Sequence, residues 1–179
     1  GMTGFTGIVN TRFHTELDIW RDNPVYRYKD LYQLAALEVE QPERRNNRYR
    51  AEQLEDGRVR LLDGNGGALP MDTVFVKGLF LPFQEFNYEY IERSLKPASR
   101  DSLLATAPNF ILRTTERNGA TATAKFWYMP YVGEEPEFGK PKPLHDNLRM
   151  RALIQDTLLV VVQRQYTDRI LQPVEALMP

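Results

Sequence analysis

Polar and apolar residues alternate over several short stretches of the chain, and a period of two predicts strands. Leu37-Glu38-Val39-Glu40 closes one such stretch, 31–42. Tyr49, Ala51 and Gln53 alternate with polar neighbours in 47–57, and Val59 and Leu61 share a face in the next run. Asp56-Gly57 lies between the last two as a hairpin turn, and "DGNGG" after Leu62 reads as a looser one. Further on, Phe110–Arg117 and Ala120–Tyr128 flank Asn118-Gly119, the best hairpin signal in the chain, expected as a two-residue loop. "RMRALIQ" (149–155) and "TLLVVVQRQY" (157–166) predict another antiparallel pair around Asp156-Thr157.

Helical spacing follows each set of strands. Asp72 or Thr73 can cap a helix. Phe75, Leu79, Phe83, Phe86 and Tyr90 then recur at steps of four and three, the stripe of a core-facing helix. Gly78 and Pro82 weaken that stripe, and Pro82 should kink or break it. Residues 98–109 predict one short helix stopped before Pro108. "DRILQPVEALM" predicts a last helix starting at Asp168, with Pro173 inside it. Between the second and third pairs of strands, 129–147 carries Pro130, Pro136, Pro141 and Pro143 with Glu134, Glu135 and Glu137, a long exposed loop. The first thirty residues are less regular: a short strand near Gly7–Phe13, a helical turn near Glu16–Trp20, and a turn at Asp22-Asn23-Pro24.

The pattern gives an α+β chain: antiparallel sheets of short strands with helices packed on one face. Residues 1–30 form an N-terminal strand-and-corner segment. Residues 31–97 and 98–179 are two similar units, each several strands followed by a Pro-interrupted helix opening on an Asp, and the two can combine into one compact domain.

Composition narrows the function classes. The chain has 179 residues, 42% of them hydrophobic, and a net charge of -1. No cationic surplus drives binding to nucleic acid or to an anionic membrane. There is no Cys, which excludes disulfides, thiolate zinc sites and a Cys nucleophile and leaves the redox compartment open. His14 and His145 are the only histidines, far apart, so no transition-metal site is expected. The longest strongly apolar run, Leu158–Val162, is too short to span a bilayer. Gly1 ahead of Met2 reads as a protease remnant, with the natural N-terminus expected elsewhere.

An ordered set of stretches carries a family resemblance. It includes "GFTG", "WRDNPVYRY", "LEVEQPERRNNRYRAE", "LLDGNGG" and "DTVFVKGLFLPFQEF", then "RDSLLATAPNFILRTTERNG", "DNLRMRALI" and "VVVQRQYTDRILQPV". Taken in this order the chain resembles the C-terminal half of a membrane-anchored envelope protein family of Bacteroidota, a family of unknown function. The resemblance covers nearly the whole chain. Trp20, Arg21, Asp22 and Tyr26 match one step of its pattern, and Gln165 and Tyr166 match another loosely. At Arg149-Met150-Arg151 the chain departs from it, with Arg151 where an aromatic is expected. The resemblance implies a periplasmic location, an envelope protein partner, and membrane attachment only through an anchor that this chain does not contain. It implies no catalytic residue, metal or cofactor.

Candidate chemistry is sparse. "IWRDNPVYRY" (19–28) can be read as a binding site, with Trp20, Tyr26 and Tyr28 stacking on a ligand and Arg21 holding its anion. The structural reading, buried aromatic anchors at a corner, suits its position better. "ERRNNRYR" (43–50) is the most basic patch and could grip phosphate, but lacks an aromatic platform beyond Tyr49, so a solvated hairpin tip is preferred. "DGNGG" lacks the Lys-Ser/Thr ending of a phosphate loop. His145, beside Asp146, has no nucleophile to serve as a base, and Ser94, Ser99 and Ser102 have no elbow. Asp63, Asp72 and Asp156 sit where turns and helix starts use Asp. The expected function is therefore a non-enzymatic extracytoplasmic interaction or accessory domain, of a transport assembly for instance, docking through an unpaired edge strand or the Pro-rich loop. The alternative is a small-ligand-binding domain or an enzyme with an unrecognised site. A closed apolar pocket would favour the second, an exposed apolar patch or sheet edge the first.

Overall fold

The computed structural model describes residues 7–8 and 23–179. Among them the chain is α+β, with two antiparallel sheets. A small one joins β1 (Gly7–Ile8), β2 (Pro24–Arg27) and β6 (Phe86–Asn87) in the order β1-β2-β6. The large one contains β3 (Leu34–Glu40), β4 (Arg48–Gln53), β5 (Val59–Asp63), β7 (Tyr90–Ile91), β8 (Phe110–Glu116), β9 (Thr121–Pro130), β10 (His145–Ile154) and β11 (Leu158–Gln163). Its order is β5-β4-β3-β8-β9-β10-β11-β7. Pairing of β3 with β8, and of β7 with β11, joins the segments 31–97 and 98–179 in one continuous sheet.

The alternation seen in the sequence sets the two faces. Leu37, Val39, Tyr49, Ala51, Val59, Leu61, Leu112, Phe126, Ala152 and Val160 are buried on one side, as successive strand residues point to opposite faces. Helix α1 (Thr73–Gly78), helix α3 (Arg164–Ile170) and the 3-10 turns Leu81–Gln84 and Val174–Leu177 cover that side with Val76, Leu79, Phe83, Ile170 and Leu177. Helix α2 (Pro97–Ala105) lies against the other side, where Leu103 and Leu104 pack with Trp127, Leu153 and Leu159. The rest of that outer side is charged. Arg50 meets Glu52 at 3.0 Å, Arg60 meets Glu52 at 2.5 Å and Arg113 meets Glu40 at 2.9 Å.

Local chemistry explains most element ends. Asp72 caps α1, its carboxylate accepting from Val74 N and Phe75 N. At the β8–β9 hairpin the loop has three residues, 117–119, where two were expected. Glu116 N donates to Ala120 O at 2.7 Å, Gly119 N donates to Glu116 O, and Gly119 takes φ +90°. That is a type I turn followed by a left-handed residue, a position glycine fills without steric cost. Asn23-Pro24 does not turn the chain. Asn23 bonds both backbone groups of Tyr88, and Pro24 opens β2, where a missing N–H is tolerated.

Two helix expectations change. The stripe Phe75–Tyr90 is not one helix: α1 stops at Gly78, Pro82 sits in a 3-10 turn, and Phe86 and Tyr90 belong to strands. The last helix begins at Arg164 rather than at Asp168, which pairs with Arg164 one turn back at 3.3 Å. Pro173 precedes the final 3-10 turn instead of interrupting the helix.

One buried polar residue ties the β3–β4 tip to the C-terminal segment. Asn47 is fully buried, donates to Gln41 Oε1 at 2.9 Å and accepts from Val174 N at 2.8 Å. Asn47→Ala would leave the Val174 N–H without a partner in a dry site. The expected loss is about 1–3 kcal/mol, read as a lower urea midpoint with an unchanged slope.

Candidate functional site

Of the aromatic-arginine stretch 19–28, Trp20 and Arg21 lie outside the described residues, as do His14 and the turn position Asp22. Tyr26 and Tyr28 are core residues. Tyr26 packs against Phe83, with ring centroids 4.7 Å apart, and against Phe86. Tyr28 donates to Glu116 Oε1 at 3.2 Å. Burial pushes both phenols above their ordinary range, and the Glu116 carboxylate adds to the effect at Tyr28. Neither ring offers a face for a ligand.

Other candidates resolve into turn chemistry. Asp63 accepts from Asn65 N and Gly67 N, so "DGNGG" closes on its own Asp. Ser94 Oγ donates to Glu92 Oε1 at 2.5 Å, which resembles a nucleophile with its base. Glu92 is poorly suited to that role. Burial pushes its carboxyl up, but hydrogen bonds from Ser94 and Arg151 outweigh burial and hold it below the ordinary carboxylate range. A base this weak takes few protons at neutral pH. Among the described residues no group of three or more His, Asp or Glu is placed to hold a metal ion, and no helix is long and apolar enough to cross a membrane.

What gathers exposed apolar surface is the loop between β9 and β10. Val132, Phe138, Leu144 and Leu148 all stand in solvent, Phe138 fully exposed. Phe138 occupies a β-turn closed by Lys140 N donating to Glu137 O at 3.0 Å, with Gly139 at φ +88° behind it. Gly at the third position with φ near +80° is the type II turn, which lifts the second residue outward. Glu137 and Lys140 pair across it at 3.2 Å.

The base of the loop is ordered. His145 stacks on Tyr128 with centroids 4.6 Å apart and planes 7° apart, and the Arg164 guanidinium sits 5.1 Å from the same ring. Arg164 also donates to Asp146 O at 2.9 Å. Strand β10 bulges between His145 and Met150, and the Asp146 carboxylate accepts from Leu148 N and Arg149 N there. His145 is thus a packing element of the loop base.

The two edges of the large sheet are blunted. Beside β5, Leu69 N donates to Leu61 O and Asp63 N donates to Gly67 O, so returning chain occupies part of that edge. At the other edge β7 is two residues long. Short or covered edges offer little for strand addition.

The basic patch 43–50 forms the rim of an open hollow of about 440 Å³ lined by Arg44, Arg45, Asn46 and Glu175. Its sequence signal, an Arg pair at a hairpin tip, was visible; the carboxylate facing it comes from a segment 131 residues away. The buried pair Glu92–Arg151, 2.9 Å, had no sequence signal as a pair.

Comparison of the chain with protein-family models, curated proteins and solved structures finds no match in any of the three.

Proposed function

We propose that this chain is a non-catalytic interaction domain that docks a protein partner through the β9–β10 loop, residues 131–144. The observation that carries this reading is the exposure of Val132, Phe138, Leu144 and Leu148 on one segment with an ordered base. Contiguous exposed apolar side chains of this kind mark contact surfaces. Pro136, Pro141 and Pro143 limit the loop's freedom before binding, which lowers the entropy lost on docking. The covered and short sheet edges favour the loop over strand addition. The loop holds three Glu and two Lys, so anionic lipid is a poor counter-surface. The proposed setting is the periplasmic side of a bacterial envelope, supported by the sequence resemblance, with an envelope protein as partner.

Deleting residues 134–142 leaves a five-residue connection between β9 and β10 that the Pro130–His145 pair can close. The deleted protein is expected to melt at the same temperature as the intact one and to lose co-purification of envelope proteins from native cells. Equal recovery of those partners would remove the loop from the docking face. Recovery of the native protein in the cytoplasmic fraction would end the envelope setting.

A further inference from the structure

We propose that the hollow at the β3–β4 tip is a binding site for a small zwitterion, an oxyanion carrying an amine, independent of the docking loop. Both walls are rigid. Gln41 N donates to Asn47 O, Arg44 N to Gln41 O and Asn47 N to Arg44 O, at 2.8–3.1 Å, so the tip is a closed set of turns. Asn47 fastens that tip to Val174, next to Glu175 on the facing wall. Tyr49 Oη donates to Gln172 O at 2.8 Å and fastens the same two segments again.

The chemistry of the lining selects the ligand. Arg45 has no ion-pair or hydrogen-bond partner among the described residues, and Arg44 is held 3.2 Å from Glu175. Two guanidinium groups from adjacent residues present planar donors to an oxyanion, the geometry that suits carboxylate and phosphate. A bare anion, however, meets the Glu175 carboxylate in the same hollow. An amine on the ligand relieves that repulsion by pairing with Glu175 while the oxyanion takes Arg45 and shares Arg44. Asn46 adds an amide at the rim.

The test titrates the whole chain with inorganic phosphate and with O-phosphoethanolamine, following backbone amide shifts by NMR. The expected result is saturable shifts confined to residues 44–47 and 173–176, with O-phosphoethanolamine binding tighter than phosphate. Arg45→Ala should weaken both by about tenfold, the scale of one charge-assisted hydrogen bond. Glu175→Gln should strengthen phosphate and erase the advantage of the amine. Non-saturating shifts spread over the cationic surface, equal binding of the two probes, or an unaffected Arg45→Ala variant would each overturn the site. Sedimentation with phosphatidylethanolamine vesicles distinguishes the source: co-sedimentation assigns the zwitterion to a lipid headgroup, and its absence beside free-probe binding assigns a soluble molecule. These side chains lie on exposed turns, so the variants are expected to fold as the parent does.

Discussion

Phe83→Ala is expected to destabilise the protein by about 3–5 kcal/mol, the range for truncating a buried Phe, while Phe75→Ala stays within about 0.5 kcal/mol, as surface changes do. The two residues stand two helical turns apart in one apolar stripe, and periodicity alone gives them equal weight. The structure separates them. Phe83 is fully buried and touches Tyr26, whereas Phe75 is 55% exposed. Chemical denaturation of both variants decides the point, since equal losses would restore a single helix with one buried face.

That stripe shows where the sequence was legible and where it was not. Strand pairs were legible because alternation and turn residues are local: Tyr49, Ala51 and Gln53 all point inward from β4, and Gly57 takes φ +85° in the turn that follows. The N-cap at Asp72 was legible for the same reason. The end of α1 was not, because Gly78 and Pro82 only weaken a helix; what replaces it depends on partners elsewhere. Phe86 belongs to a strand because β2 is there to pair with it, and Tyr90 because β11 is. Likewise Asn23-Pro24 has the composition of a turn, yet Tyr88, 65 residues away, holds Asn23 in place.

The candidate sites divide along the same line. The loop 131–144 was legible from its prolines and charges, which no packed element could accommodate. Its ordered base was not, since the stack of His145 on Tyr128 and the approach of Arg164 join three elements. Tyr26 and Tyr28 looked equally able to bind a ligand or to fill a core, and burial decides for the core. Half of the Arg44–Arg45 hollow was visible as a basic tip, and its acidic half was hidden in the C-terminal segment.

Arg151→Ala is expected to cost about 3–5 kcal/mol, because it removes one partner of a buried ion pair and leaves the other charged. Arg151 Nε lies 2.9 Å from Glu92 Oε2, and the Glu92 side chain is 2% exposed. The pair, with Arg149–Glu89 at 2.8 Å beside it, fastens the two-residue strand β7 to β10, where two backbone rungs alone would hold weakly. A Met at 151 with a Leu at 92 should recover most of the loss, since apolar groups of similar volume need no solvation. The pair also sets an acid limit. The folded Glu92 carboxyl lies below its ordinary value, so the native state binds its proton less readily than the unfolded chain does. Its contribution is therefore complete above the unfolded carboxylate range, near pH 4.3, and is lost as pH falls through the folded value. Glu52, held low by Arg60 and Arg50 against the opposing effect of burial, titrates with the same sign. Urea midpoints measured from neutral pH downward should thus fall less steeply in the Met–Leu double variant than in the parent. Parallel curves would show that Glu92 carries no linked proton, and a double variant as unstable as Arg151→Ala would show that β7 needs the charge itself.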